Sequence, residues 1–283
     1  MTVSQVVSQT IGDLRPYFDD GEARALAREI LLRLKGGTPV DIAVKGDDEV
    51  SEFIVSDVAL IVKRLKEGEP IQYIFGVAHF YGMDFKVTPA TLIPRPETAT
   101  LVDMIVKKYE GRIDLNVMDL GTGSGCIAIA LALNLRFPLV TAIDISEQAL
   151  NVARENATRL NARVDFKVGD ILNLKPEPES LDIIVSNPPY VLSGERQTME
   201  RNVLEHEPPT ALFVPDNDPL KFYKPIVTAA ATALRGDGGL YLEINPICAD
   251  SLVKLCCANG LKNVEKVKYL DGKERFIVAF RAG

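Results

Sequence analysis

The chain of 283 residues contains no tryptophan, only two histidines (His79 and His206) and four cysteines. None of Cys126, Cys248, Cys256 and Cys257 forms a CxxC pair. With so few soft ligands, a structural zinc site is not expected, and unpaired thiols in a chain this long suit a reducing compartment. There is no excess of basic charge. Lysine and arginine number 32 against 39 aspartates and glutamates, a net of −7. The deficit is spread along the chain: residues 1–95 carry 11 basic and 14 acidic side chains, and residues 96–283 carry 21 and 25. Neither part is a basic module for phosphate backbones, so direct nucleic-acid binding is not expected. No apolar run reaches the length of a membrane span. The N-terminal stretch MTVSQVVSQTIGDLRPYF lacks a basic segment followed by an apolar one, so no signal peptide is expected. These features together predict a cytoplasmic protein with no membrane partner. What remains is ordinary globular composition, 47% hydrophobic and 25% charged, with enough apolar mass for a sizeable core.

Hydrophobic spacing divides the chain. Val3, Val6, Val7 and Ile11 suggest a first helix. Ala23, Leu26, Ala27, Ile30, Leu31 and Leu34 form a second helical stripe, stopped by Gly36-Gly37 and Pro39. Val50, Ile54, Val58, Ile61 and Leu65 form a third, stopped by Gly68 and Pro70. Residues 1–69 therefore read as a small helical domain. Residues 70–95 are aromatic and β-branched, broken by Gly76 and Gly82, and read as a β-hairpin linker. It ends in Leu92-Ile93-Pro94-Arg95-Pro96-Glu97, where two prolines predict a stiff extended arm.

Residues 96–283 alternate strand and helix, which predicts a parallel sheet covered on both faces. Strands are expected at 117–120, 140–143, 164–168, 183–185, 239–244, 264–269 and 275–280. The last two are joined by only five residues, Leu270–Glu274, so they must pair antiparallel. The fold class is thus α/β, a Rossmann-like, seven-stranded, mostly parallel sheet with an antiparallel last strand.

Candidate ligand groups gather at the ends of these strands, where open α/β sheets bind. Gly121-Thr122-Gly123-Ser124-Gly125 follows a strand and opens a helix. Its GxGxG spacing differs from the GxGxxG of a pyrophosphate cradle and suits a small zwitterion; taken alone it is also compatible with a plain turn. Asp144 ends the next strand, 19 residues after Gly125. A carboxylate there can accept both hydroxyl hydrogens of a ribose. Ser146 is the better helix cap of the pair, which leaves Asp144 free. Asp170, at the end of the third strand, can accept from an exocyclic amine, with Ile171 as an apolar wall. Ser186 is followed by Asn187-Pro188-Pro189-Tyr190. The prolines stiffen this turn and remove amide donors. Asn187 adds a side-chain carbonyl and Tyr190 a flat ring, so the turn offers two acceptors and a face to a planar NH₂ group.

GxGxG, Asp144, Asp170 and the NPPY tetrapeptide together resemble a class I S-adenosylmethionine-dependent N-methyltransferase. The wider pattern resembles the HemK/PrmC family over nearly the whole chain: Pro70–Gly76 (PIQYIFG), Phe80-Tyr81-Gly82, Leu92–Thr98 (LIPRPET), Asp182–Tyr190, Glu207-Pro208 with Ala211-Leu212, and Leu242-Glu243-Ile244. That resemblance implies methyl transfer to the side-chain nitrogen of the glutamine in the GGQ motif of class I peptide chain release factors. It implies S-adenosyl-L-methionine on Gly121–Gly125, Asp144 and Asp170-Ile171, with Asn187 touching both cofactor and substrate, and S-adenosyl-L-homocysteine as the product. It places the substrate glutamine on Asn187, Pro188, Pro189 and Tyr190, with Asn187, Pro188 and Tyr190 as the catalytic set, and the release factor against the N-terminal helices of a monomer. The chain departs from the family's usual pattern at Ala99, at Asn245 and Cys248, and at Phe213-Val214-Pro215-Asp216. Alternatives to this reading are glutamine methylation of another translation protein, a DNA N6-adenine methyltransferase, whose planar amine NPPY also serves, and a non-catalytic adenosine-ligand sensor.

Overall fold

The computed structural model describes the backbone of residues 1–283 and the side chains of all but Pro39 and Ala43. It divides into two compact units: residues 1–75 with 201–206, and residues 76–200 with 207–283.

The first unit is helical: α1 (Val3–Leu14), α2 (Asp20–Lys35), α3 (Pro39–Val44), α4 (Glu52–Lys66) and α5 (Ile71–Phe75), joined by Arg201–His206, which is α9 by its place in the chain. Short polar side chains set the starts. Thr2, Asp19, Thr38 and Ser51 each accept a hydrogen bond from a backbone N–H in the first turn that follows. Val3, Val6 and Leu14 of α1 bury against Ala23, Leu26, Ile30 and Leu31 of α2 and Val58, Ile61 and Leu65 of α4. The α2 and α4 stripes are those expected from spacing, whereas in α1 Thr10 and Leu14 hold the buried place expected of Ile11. One expectation fails here. Ile71–Phe75 is a helix, not the start of the hairpin. Pro70 is placed where a helix tolerates it, just before the first turn, and Ile71, Ile74 and Phe75 join the helical core. Gly76, at φ +68°, then ends the helix in the left-handed conformation that glycine adopts without a Cβ clash.

The second unit opens with the hairpin β1 (Val77–Phe80) and β2 (Met83–Lys86). Leu92–Arg95 forms neither helix nor strand and Arg95 is extended, but Pro96 does not prolong the arm. It is the first residue of α6 (Pro96–Lys108), which buries Thr98, Leu101, Val102 and Ile105. The chain continues through β3 (Asn116–Leu120), α7 (Cys126–Asn134), β4 (Leu139–Asp144), α8 (Glu147–Arg159), β5 (Val164–Val168) and β6 (Leu181–Ser186). After β7 (Val191–Leu192), α10 (Pro209–Leu212) and β8 (Phe213–Val214) come α11 (Tyr223–Ala233), β9 (Leu234–Glu243), α12 (Ala249–Ala258), β10 (Leu261–Lys268) and β11 (Glu274–Arg281).

The seven-stranded sheet has the order β10-β11-β9-β6-β3-β4-β5. Six strands run in one direction, and β11 alone is reversed, lying antiparallel to both β9 and β10. The expected architecture is therefore the observed one. Alternation along the strands builds two cores: Ile183, Val185 and Tyr241 pack with α6 and α7 on one face, and Ile184, Leu240 and Leu242 with α11 and α12 on the other. Chain order reverses at β3, flanked by β6 and β4. The carboxyl ends of these strands therefore open a crevice at the switch point.

Candidate active site

A cavity of ≈ 510 Å³ lies at this edge, within the size range of small-ligand sites. The glycine loop contributes Gly121–Ser124, the strand ends contribute Asp144, Asp170 and Ile171, and the turn after β6 contributes Asn187 and Pro189. Gly125, Pro188 and Tyr190 are not part of this wall.

The loop is wired from below. Asp119, fully buried on β3, accepts from the Thr122 hydroxyl (2.7 Å) and the Ala128 N–H (3.2 Å) with one oxygen. Its other oxygen has no hydrogen-bond partner. Burial pushes this carboxyl up to about 7. The folded protein therefore holds a proton on Asp119 that the unfolded chain releases near pH 4, so this group's contribution to stability declines as pH rises from about 4 to about 7. Asp119→Asn removes the titration. We expect the melting temperature of the variant, taken relative to the wild type, to climb through that window and level off above it. Parallel curves would contradict the assignment.

Gly121, at φ +74°, faces Ile171, whose Cδ1 would lie 3.6 Å from an added Cβ. Glycine there keeps the space between loop and apolar wall open. Gly125, at φ +82°, is tightly packed, since a Cβ would meet Ala153 and Ile129 at 3.0 Å and its backbone conformation disfavours any side chain. It is a packing glycine that starts α7 rather than part of the cavity wall.

Asp144 is not free, contrary to the sequence expectation. Its two oxygens accept from the Gly123 N–H (2.8 Å) and the Ser146 N–H (2.9 Å). Ser146 caps α8 as expected, accepting from Ala149. Asp144 ties the glycine loop to β4 and still has lone pairs for a ligand, because a carboxylate offers about four acceptor directions. Burial raises its carboxyl, and the backbone donors from Ser146, Gly123 and Ile145 oppose that shift. Asp170 is similarly engaged, accepting from Leu172 N–H (2.9 Å) and Asn173 Nδ2 (2.8 Å).

The NPPY turn differs most from expectation at Tyr190. Its ring is half-buried against the α11 side of the core, and its hydroxyl donates to Glu243 Oε1 at 3.0 Å. Tyr190 thus braces the turn instead of presenting an open face to the cavity. Burial, then the neighbouring Glu243 carboxyl, raises the phenol well above its ordinary range. Asn187 is only partly buried and donates from Nδ2 to Thr98 Oγ1 at 3.2 Å. Asn245, one of the departures from the usual pattern, donates to the Tyr190 carbonyl (3.3 Å) and to Glu195 Oε2 (2.8 Å), bracing the same turn from the end of β9.

Sequence reasoning did not find the rest of the wall. Leu92, Pro94 and Arg95 line it, as do Pro208, Phe213 and Phe222. Glu207 joins the two stretches. It is almost wholly buried, it takes the Ile93 N–H at 3.1 Å, and it pairs with the Arg95 guanidinium. The only signal was the resemblance at LIPRPET and Glu207-Pro208, which carries no spacing rule of its own. Among the described residues no group of three or more His, Cys, Asp and Glu could hold a metal ion, and no helix is long and apolar enough to cross a membrane.

Comparison with known proteins adds to this geometry. Residues 18–76 match the family described as the PrmC N-terminal domain, and residues 113–240 match a methyltransferase domain family. Over 280 residues the chain is 42% identical to a release factor glutamine methyltransferase of Bacteroides thetaiotaomicron, spanning 99% of each chain. The chain belongs to the release factor glutamine methyltransferase family. A second member of the family, from Flavobacterium psychrophilum, is 39% identical and covers 99% of this chain and all of its own. A crystal structure titled as a methyltransferase from Pyrococcus furiosus shares the fold, with a TM-score of 0.52 at 19% identity over 81% of this chain and 100% of its own. As a member of the family the chain is a methyltransferase, and these relatives lend no support to the sensor or DNA adenine readings.

Proposed function

We propose that this chain transfers the methyl group of S-adenosyl-L-methionine to the side-chain amide nitrogen (N5) of the glutamine in the GGQ motif of class I peptide chain release factors, leaving S-adenosyl-L-homocysteine. The observation that carries this reading is that Asn187 and Pro189 share one cavity with the glycine loop and Asp144. The residues present suit the cofactor. Its adenosine part calls for a carboxylate for the ribose and an apolar wall for the base, and Asp144 and Ile171 supply them. Asp170 would accept from the exocyclic amine. The cavity wall holds no cluster of cations for phosphate; Arg95 lies on it but is committed to Glu207, and Lys221 is its other base. Bound there, the cofactor supplies an electrophilic methyl group.

An amide nitrogen is a weak nucleophile because its lone pair is delocalised into the carbonyl. Asn187 Oδ1 on the cavity wall, and the carbonyl of Pro188, which lies between the wall residues Asn187 and Pro189 without lining the wall itself, each accept one N–H of the glutamine, which holds the NH₂ group in line and favours the positive charge that develops on nitrogen. A methylated, protonated amide is strongly acidic and loses its proton to water, so no strong base is required. The helical unit at the N-terminus contacts the release factor. The enzyme acts as a monomer in the cytoplasm, where termination takes place, without direct contact to nucleic acid or membrane.

The test is transfer of labelled methyl from S-adenosylmethionine to a purified class I release factor, followed by mass mapping. Label on the GGQ glutamine is the expected result. Label on another residue, or on duplex DNA in a parallel reaction, would overturn the reading.

A further inference from the structure

A buried line of hydrogen bonds leads from the end of β9 to the side chain of Asn187. The register Ser186↔Leu242 sets the ends of β6 and β9 side by side, so Glu243 lies next to the NPPY turn. Glu243 is only 2% exposed. Its Oε2 takes the hydroxyl hydrogen of Thr98, in the first turn of α6, at 2.6 Å. Its Oε1 takes the hydroxyl hydrogen of Tyr190 at 3.0 Å. Thr98 Oγ1 in turn lies 3.2 Å from Asn187 Nδ2. Three residues that are 89 and 145 positions apart in the chain thus meet in one line.

The direction of these bonds is forced. A carboxylate only accepts, and a hydroxyl has a single hydrogen to donate. Thr98 spends its hydrogen on Glu243, so toward Asn187 its oxygen can only accept. Asn187 must therefore turn its NH₂ end to Thr98, and its carbonyl end is the one left for the cavity. The opposite orientation would present a donor to the NH₂ group of the substrate, donor against donor. On the reading of Asn187 given above, we propose that Glu243 and Thr98 are positioning residues that select the carbonyl face of the Asn187 amide for the substrate nitrogen.

This wiring works only while Glu243 is a carboxylate. A protonated Glu243 donates to Thr98, whose own hydrogen is then released toward Asn187, and the amide is free to turn over. Burial raises the Glu243 carboxyl, and the neighbouring Glu97 adds to that. Thr98, Tyr190 and Arg275 on β11 pull the other way. Tyr223 of α11, which donates to the Glu243 backbone carbonyl, and the Cys126 thiol of α7 complete the titratable surroundings. The rate therefore falls on the acid side as Glu243 gains its proton.

Glu243→Gln reverses the wiring without leaving a hole. The new amide accepts from Tyr190 and donates to Thr98, which then donates to Asn187. The expected result, on a purified release factor, is a kcat lower by roughly 10²-fold, the scale of one misdirected polar group at a reacting centre. Cofactor affinity by calorimetry should stay within about threefold, a kcat effect rather than a binding one. The acid limb of the wild-type profile should be absent from the variant. Thr98→Val should show the same split, and Thr98→Ser, which restores the hydroxyl, should recover most of the rate. If Glu243→Gln turns over at a rate near that of the wild type, or retains the acid limb, or if Thr98→Val and Thr98→Ser behave alike, the positioning role is wrong while the assigned reaction stands. If the wild-type enzyme itself leaves the glutamine unmodified, the assigned reaction falls, and the positioning role with it.

Discussion

Asn187→Ala is expected to slow methyl transfer by roughly 10²–10³, the loss seen when one preorganised polar group is removed from a reacting centre. The substitution is well suited to isolate that effect. Pro188 and Pro189 hold the turn, Tyr190 remains tied to Glu243, and Asn245 still braces the Tyr190 carbonyl. What is lost is the side-chain acceptor on the cavity and a single 3.2 Å bond to Thr98. Single-turnover rates at saturating cofactor, with the fold checked by circular dichroism, make the measurement. A near-normal rate would remove the NPPY turn from the substrate site.

The second large effect is on the cofactor. Asp144→Ala should weaken S-adenosylmethionine binding by about 1.5–3 kcal/mol, the range for a hydrogen bond to a charged group. The structure adds a second route to the same loss, because Asp144 also anchors the Gly123 and Ser146 amides. Asp144→Asn separates the two. Its one carbonyl oxygen can hold either amide but lacks the charge and the spare lone pairs of the carboxylate. Calorimetry should place it between the wild type and Asp144→Ala. Unchanged affinity in Asp144→Ala would exclude this side chain from the ribose position.

Much of the fold could be read from spacing, because burial imposes a period. The apolar run of β6 is buried on both faces, and the stripe on α2 has the helical repeat. Prolines misled where one residue type serves two structures. Pro96 reads as a stiff arm, yet its fixed φ and missing N–H also suit the first position of a helix, and Leu101, Val102 and Ile105 supply the burial that decides it. Pro70 likewise stands directly before α5, where a helix tolerates it, although a hairpin was expected from there. The site was legible where it sits on strand ends, since Gly121, Asp144, Asp170 and Asn187 each lie at or within two residues of the end of a strand. It was not legible where distant loops close the cavity. Ile93 and Glu207 are 114 positions apart and share no periodic signal. The tie of Tyr190 to Glu243 was not legible either, because its sequence neighbours say nothing of Glu243, which only the β6–β9 register brings beside it.

Asn187→Asp tests the central claim most directly, through single-turnover rates measured from about pH 6 to 9. A carboxylate is nearly the same shape and still accepts a hydrogen bond, but it adds a charge that pairs with the cationic cofactor and stabilises the ground state. Oriented acceptance by a neutral amide therefore predicts cofactor binding as tight as in the wild type or tighter, with slower transfer at every pH in that range. A variant that retains or exceeds the wild-type rate, increasingly so as the pH rises, would instead show a general base at this position and contradict the account.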